Sequence, residues 1–311
     1  MSGLVGQVRL ENSGWELPKR ERGVWSDAFH RLSRNRLAMA GLVIIAALAL
    51  FSTVATHSDL IRRYDPYQDQ DYAHVQEGPT LRHFFGTDNL GRDNWSRVLT
   101  GVGISLQIGV GTQAFVLLFG LSIGAAAAMG GRRTDNLLMR LTDVTFAFPD
   151  LLFIILMRSV LSGRDWPVLS NPRLQVMLAI SVVTWPTIAR LVRGQMLALS
   201  QQEYVVAARA MGASNRRIAL YHMLPNTLGP ITVAFTFGIP AAIFAEAALS
   251  FIGFGLPIPT ASLGRLVADG NTYVQVNPWV VAFPAAAVAL LMLCFTFIGD
   301  GLRDALDPRQ R

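Results

Sequence analysis

Leu37-Ala-Met-Ala-Gly-Leu-Val-Ile-Ile-Ala-Ala-Leu-Ala-Leu-Phe-Ser-Thr-Val-Ala-Thr56 contains no ionisable side chain. At about 1.5 Å per helical residue, these roughly 20 residues cross a hydrocarbon core of about 30 Å. Working outward, similar apolar runs occur at Ile104–Met129, Leu137–Leu161, Leu174–Leu191, Leu228–Phe254 and Trp279–Ile298. The chain therefore reads as an all-α integral membrane protein with about six transmembrane helices. Composition agrees. Hydrophobic residues make up 51% of the 311 and charged residues only 15%, where a soluble domain carries about 25% charged residues. The first run is too long, and too far from the N-terminus, for a cleaved signal peptide.

Charge sets the orientation. With the N-terminus in the cytosol, about 18 of the 27 Lys and Arg residues fall on the cytosolic side, as the positive-inside rule requires. Both termini are then cytosolic. The net charge of +6 follows from this bias, and no basic soluble domain offers itself to nucleic acid. Arg31, Arg34 and Arg36 anchor the first span, and Trp25, Phe29 and Leu32 recur beside them at helical spacing, which predicts a short helix in the headgroup region. Residues 1–24 read equally well as a disordered tail.

Five segments result. They are an N-terminal tail with its interfacial helix (1–36), a first span (37–56), an extracytoplasmic loop with local turns (57–103), a core of five spans (104–299) and a C-terminal tail (300–311). Gly101, Gly103, Gly109, Gly111, Gly120 and Gly124 punctuate the second span, where small residues let helices approach closely. Pro149, Pro186, Pro240 and Pro284 predict bends. The sole cysteine, Cys294, excludes a disulfide framework.

The loop 203–225, between the fourth and fifth spans, falls on the cytosolic side. Tyr204, Ala207, Ala208 and Met211 recur at i, i+3, i+4 and i+7, one apolar face of a short helix. Gly212 supplies a break at positive φ. Ser214 is placed to cap a second short helix carrying Ile218, Tyr221 and His222, which Pro225 ends. Two short helices joined at a glycine form a compact knob suited to a groove on a partner.

This loop resembles that of the inner-membrane permeases of ATP-binding-cassette importers. Their mark is Glu-Ala-Ala, three residues, Gly, nine residues, Ile, any residue, Leu-Pro. Ala207, Ala208, Gly212, Leu224 and Pro225 match it; Val206 and His222 stand where the family has glutamate and isoleucine, and Glu203, one turn earlier, is the nearest substitute acid. His83-Phe-Phe-Gly-Thr-Asp-Asn-Leu-Gly-Arg-Asp93, Ala248-Leu-Ser-Phe-Ile-Gly-Phe-Gly255 and Gly299-Asp-Gly-Leu-Arg-Asp-Ala-Leu-Asp-Pro308 resemble the dipeptide, oligopeptide and nickel permeases, in particular the C-type subunit. The resemblance implies a type I importer permease fold with a cytosolic coupling helix, in the bacterial inner membrane. It further implies a second homologous permease as heterodimer partner, two cytosolic ATPases on the coupling loops and an extracytoplasmic binding protein that delivers ligand. ATP and Mg²⁺ would belong to the ATPase subunits, with no cofactor in this chain.

Asp143, Asp150 and Glu246 fall within apolar runs, where an ionised side chain costs about 2.5–3.5 kcal/mol or more. They are candidates for a translocation path, or for structural pairing, with Arg140 (i−3 from Asp143) and Arg158 as the available cations. An alternative reading makes them the relay of an ion-coupled secondary transporter. His57, His74, His83 and His222 lack metal-ligand spacing. The Gly86–Asp93 stretch fails the register of a calcium loop and reads as a structured outer turn. No Walker-type phosphate loop is present, so this subunit is not itself expected to be an enzyme.

Overall fold

The computed structural model describes residues 24–58, 61, 63–162 and 170–307. The expectations for the tail before residue 24, for most of the outer loop Ser162–Arg173 and for residues 308–311 lie outside the described residues. In chain order the helices are α1 (Val24–Arg34), α2 (Arg36–His57), α3 (Asn94–Met129), α4 (Gly131–Ala147), α5 (Asp150–Ser162) and α6 (Pro172–Leu199). They continue as α7 (Glu203–Ala210), α8 (Asn215–Ile218), α9 (Leu224–Ile252), α10 (Leu263–Asn271) and α11 (Trp279–Leu306). Among the described residues no strand forms beyond one isolated bridge between Thr87 and Asp93.

Among the described residues, five helical runs are long and apolar enough to cross a membrane: α2, α3, α6, the run Asn215–Ile252 and α11. The sixth expected span, Leu137–Leu161, is not a single helix. It is α4 and α5, bent by 97°. Pro149 explains the break, because it lacks an N–H and biases the preceding residue away from helix. Phe148 is accordingly extended (φ −91°, ψ 141°).

Other boundaries shift for equally local reasons. The second span begins at Asn94, about ten residues before Ile104. Asp93 caps it, its side chain accepting from the backbone N–H of Ser96 at 2.8 Å. Pro225 does not end the short helix before it. A π-helical turn, Ala219–Met223, carries the chain smoothly into α9, so Asn215–Ile252 runs as one helical rod. Pro225 follows the π-helical turn directly, as the second residue of α9. The last span runs past Ile298 to Leu306, so residues 300–306 are helix and not a loose tail. Gly301 and Ala305 are buried there, with Gly301 packed against Ala38 and Leu32.

The most extensive helix pairing is α3 with α6. A Cβ on Gly124 of α3 would stand 2.5 Å from the Ala189 carbonyl oxygen and 2.8 Å from Val192 Cβ, so only glycine permits this approach. Three apolar cores stack along the bundle. Val98, Val102, Ile243, Leu263 and Leu291 unite α3, α9, α10 and α11 at one end. Ile108, Ile154, Val176 and Ile180 join α3, α5 and α6. Val116, Ile188, Val192, Met196 and Ile231 fill the other end, together with residues of the loop 203–225.

A polar cap closes the end where α3 begins. Asp88, 2% exposed, receives Arg92 Nε at 2.8 Å and Arg97 on the same oxygen. Its other oxygen accepts the backbone N–H groups of Leu90 and Arg92, each at 2.9 Å. Buried His83 places Nδ1 2.9 Å from Asp93. Asn277 donates to the Glu77 carbonyl at 3.1 Å and Asn89 to the Tyr273 hydroxyl at 3.2 Å, tying this loop to the segment after α10. The Gly86–Asp93 stretch is thus a structured turn whose carboxylates are engaged by arginine and histidine.

On the rim of this cap, Asp71 lies 3.0 Å from His74 Nδ1 and 3.1 Å from Arg82 Nη2. Burial pushes its pKa up, but the His74 hydrogen bond and the Arg82 and His74 charges outweigh it and hold the carboxyl below its ordinary 3.8. A carboxylate with a depressed pKa contributes stability that is complete above the ordinary value and is lost as pH falls below it. Acidification below about pH 4 should therefore lower the protection factors for amide hydrogen exchange around residues 71–82, once intrinsic exchange is corrected for pH. Asp71→Asn should remove that acid sensitivity; equal acid sensitivity in both proteins would contradict this account.

Candidate coupling knob and translocation cavity

The loop 203–225 folds as a knob at the end of the bundle opposite the polar cap. Glu203 opens α7. Gly212 has φ +84°, the left-handed conformation that turns the chain between α7 and α8, and no atom lies within 4 Å of where its Cβ would be. Ser214 caps α8, its hydroxyl accepting from the backbone N–H of Arg217 at 3.4 Å. These are local consequences of residue type: a glycine where φ is positive, a serine where a helix starts.

Burial divides the knob into a root and a surface. Val205, Ala208 and Ile218 are buried against Val192 and Met196 of α6. Tyr204, Ala207 and Met211 are exposed, with Met211 at 83%. The expected apolar face over Tyr204, Ala207, Ala208 and Met211 is therefore split. Periodicity alone cannot choose between two apolar stripes on a short helix, and the i, i+3 pair Val205/Ala208 is the one the bundle covers. Val205 was not singled out in the sequence. Glu203, Val206, Gly212 and Pro225 are also exposed, while His222 and Leu224 are half-buried. Glu203 and Val206, one turn apart, share a face. Asn226 donates to the His222 carbonyl at 2.6 Å and to the Tyr204 hydroxyl at 3.4 Å, closing the knob onto the start of α9.

A cavity of about 350 Å³ opens between α3, α5, α6 and α9, with Ile154, Ile180, Val183 and Ile188 among its apolar walls. Its polar lining includes Gln113, Asp150, Thr184 and Thr187. Gln113 donates to the Gly238 carbonyl at 3.0 Å and so bridges α3 to α9 across it. Val116 and Ile188 belong both to the cavity wall and to the core cluster that holds the knob's root. Knob and cavity are two faces of one packed unit.

The structure does not bring the three intramembrane carboxylates together. Asp150, exposed as the first residue of α5, lines the cavity. Asp143, half-exposed, pairs with Arg190 at 2.7 Å; Arg140, the expected partner, stands at 4.0 Å. Arg190 also lies 4.4 Å over the Phe146 ring, which orients it toward α4. The guanidinium forty-seven positions away wins because α4 and α6 pack together. Glu246 is fully buried away from the cavity lining, one oxygen accepting from Ser250 at 2.8 Å and Ser262 at 2.7 Å. Arg158 pairs with Gln175 instead of a carboxylate. Asp135 and Arg193, forming a two-pronged pair at 2.5 and 2.6 Å, were not singled out in the sequence. Among the described residues no direct hydrogen bond links Asp143, Asp150 and Glu246, which stand in three separate settings.

Comparison with known proteins agrees with this architecture. Residues 117–311 match the family of binding-protein-dependent transport system inner membrane components, and residues 23–79 match the N-terminal transmembrane domain of oligopeptide transport permease C. The oligopeptide transport system permease protein OppC of Bacillus subtilis (strain 168) is 39% identical over 296 residues, covering 95% of this chain and 93% of that protein. The dipeptide transport system permease protein DppC of Alkalihalophilus pseudofirmus is 38% identical, covering 92% and 90%. The glutathione transport system permease protein GsiD of Escherichia coli O6:K15:H31 is 38% identical, covering 94% and 93%. Among solved structures, an inward-facing MetNI methionine ABC transporter superposes with a TM-score of 0.57 at 19% identity, over 68% of this chain and 96% of that one, a likeness of fold. A multi-pass bundle with a rooted knob, matched along nearly its whole length by these permeases, places the chain in the inner-membrane component family of binding-protein-dependent ABC importers, as a permease of the OppC/DppC type.

Proposed function

We propose that this chain is the C-type permease subunit of an ATP-driven peptide importer, and that the knob carries the stroke of a separate ATPase to the cavity. The observation that supports this most directly is the shared core. Val205, Ala208 and Ile218 at the knob's root pack in the same cluster as Val116 and Ile188 of the cavity wall. Close-packed cores transmit displacement with little compression, so movement of the knob displaces that wall.

The exposed knob face, with Glu203, Tyr204, Ala207, Met211 and Gly212, meets the ATPase. Two such ATPases, with their ATP and Mg²⁺, serve this chain and a second homologous permease. The apolar Leu137, Leu141 and Val144 of α4, all more than half exposed, suit that second permease as neighbour, the rest of the bundle's apolar surface facing lipid. The polar cap receives the binding protein on the extracytoplasmic side, leaving the knob and both termini in the cytosol, consistent with the excess of arginine at the knob end. ATP binding supplies the differential affinity that shifts inward- and outward-open populations. The relatives named for oligopeptide, dipeptide and glutathione transport support a peptide as cargo.

Gly212→Val tests the coupling role. The site is sterically open, so the penalty is that of a β-branched residue at positive φ, about 1–2 kcal/mol concentrated in the turn. The assembled transporter in proteoliposomes should take up roughly tenfold less peptide per ATP hydrolysed, with membrane insertion unchanged. Normal uptake by this variant would show that the knob is not the coupling element. Uptake by this chain alone under an ion gradient would overturn the importer reading itself.

A further inference from the structure

Two cavities meet at the base of the knob. One, about 750 Å³, is bordered by Ser214, Arg216, Arg217, Tyr221 and His222. The other, about 290 Å³, is an apolar trough between the ends of α3 and α6, walled by Ala125, Ala126, Met129 and Met196. Arg216 and Leu220 line both, so the trough opens beneath the arginines. Both guanidiniums belong to exposed residues, and neither has a carboxylate partner among the described residues. Arg132 and Arg133, also exposed, follow α3 directly at the same end.

We propose that this composite groove binds an anionic phospholipid of the leaflet on the knob side, with its phosphate on Arg216 and Arg217 and an acyl chain in the trough. Three features select this occupant. The trough is built from the ends of α3 and α6, two helices long and apolar enough to cross a membrane, where such helices leave the hydrocarbon. Apart from Arg216 at its mouth, its walls are Ala, Met and Leu side chains, which offer no polar partner to a peptide backbone. Its mouth carries paired arginines, whose planar forks match a phosphodiester, and basic pockets between transmembrane helices are the recurring form of headgroup sites. Neither Tyr204 nor Met211, the surface left to the ATPase, lines the groove. A lipid seated here would brace the π-helical turn and α9 against α3 and α6.

The test uses the assembled transporter in nanodiscs containing spin-labelled phosphatidylglycerol or phosphatidylethanolamine. The wild type should immobilise phosphatidylglycerol preferentially. Arg216→Gln/Arg217→Gln should weaken that preference by roughly thirtyfold, since each basic residue near an anionic surface contributes about one step of some fivefold. Ala126→Phe, which fills the trough and keeps both arginines, should displace the same lipid. Equal immobilisation of both lipids by the wild type, or unchanged selectivity in both variants, would overturn the proposal. So would loss of the ATPase subunits from the double variant with lipid selectivity intact, which would assign the arginines to the ATPase interface. Displacement of the second permease by Ala126→Phe, again with lipid selectivity unchanged, would assign the trough to that subunit.

Discussion

Replacing Asp88 by alanine should destabilise the folded chain by about 3–5 kcal/mol, the cost of leaving a buried charge without its partner. Arg92 and Arg97 are 6% and 2% exposed, and both converge on one Asp88 oxygen. Without it, Arg97 keeps only Asp269 at 3.8 Å as a carboxylate partner among the described residues, and Arg92 loses its own. The backbone N–H groups of Leu90 and Arg92 lose their acceptor as well. The effect should be read as a lower unfolding midpoint of the purified protein in detergent. Asp143→Ala is the comparison, because its pair with Arg190 is half-exposed and worth about 0–1 kcal/mol. If the two variants melt at the same temperature, the Asp88 cluster does not hold the polar cap together. The cap positions the start of α3, so its loss should also loosen the contacts of Asn89 with Tyr273 and of Asn277 with Glu77.

Gly124→Val should strongly damage the bundle, at about 1–3 kcal/mol or more from overpacking. The clash is with the Ala189 carbonyl and the Val192 side chain, one a backbone atom that cannot rotate away. The α3–α6 pairing it disrupts is the most extensive in the chain and forms two walls of the cavity. Poor recovery of monodisperse protein and a depressed melting temperature are the expected readouts. Gly194→Val on α6 supplies the contrast, since nothing lies within 4 Å of its Cβ position and glycine is a poor helix former. That variant should match the wild type or slightly exceed it. Equal damage from both would mean that glycine content matters, and not the close approach at Gly124.

What could be read in advance was local. A run of apolar residues long enough to cross a bilayer needs no partner to be recognised, so Leu37–Thr56 and the runs that become α3, α6, α9 and α11 were evident from the chain. Gly212 at positive φ and Ser214 as a helix cap depend on only a few neighbours, and both stand as their residue types require. Pro149 announced a bend, though its size of 97° depends on how α5 packs against α6.

Long-range pairing was another matter. Asp143 chose Arg190 over the nearby Arg140, Asp135 met Arg193, and Glu246 met Ser262 across a turn and a loop. Each choice depends on which helix faces are brought together, and in an apolar sequence many pairings of faces bury similar area. The knob shows the division most sharply. Its two helices, its glycine turn and its cap were determined by the sequence 203–225, because hydrogen bonding and backbone sterics act over a few residues. Whether Val205 or Tyr204 faced inward was decided only when Val192, Met196 and Ile218 closed around one stripe, since burial is a property of the packed whole.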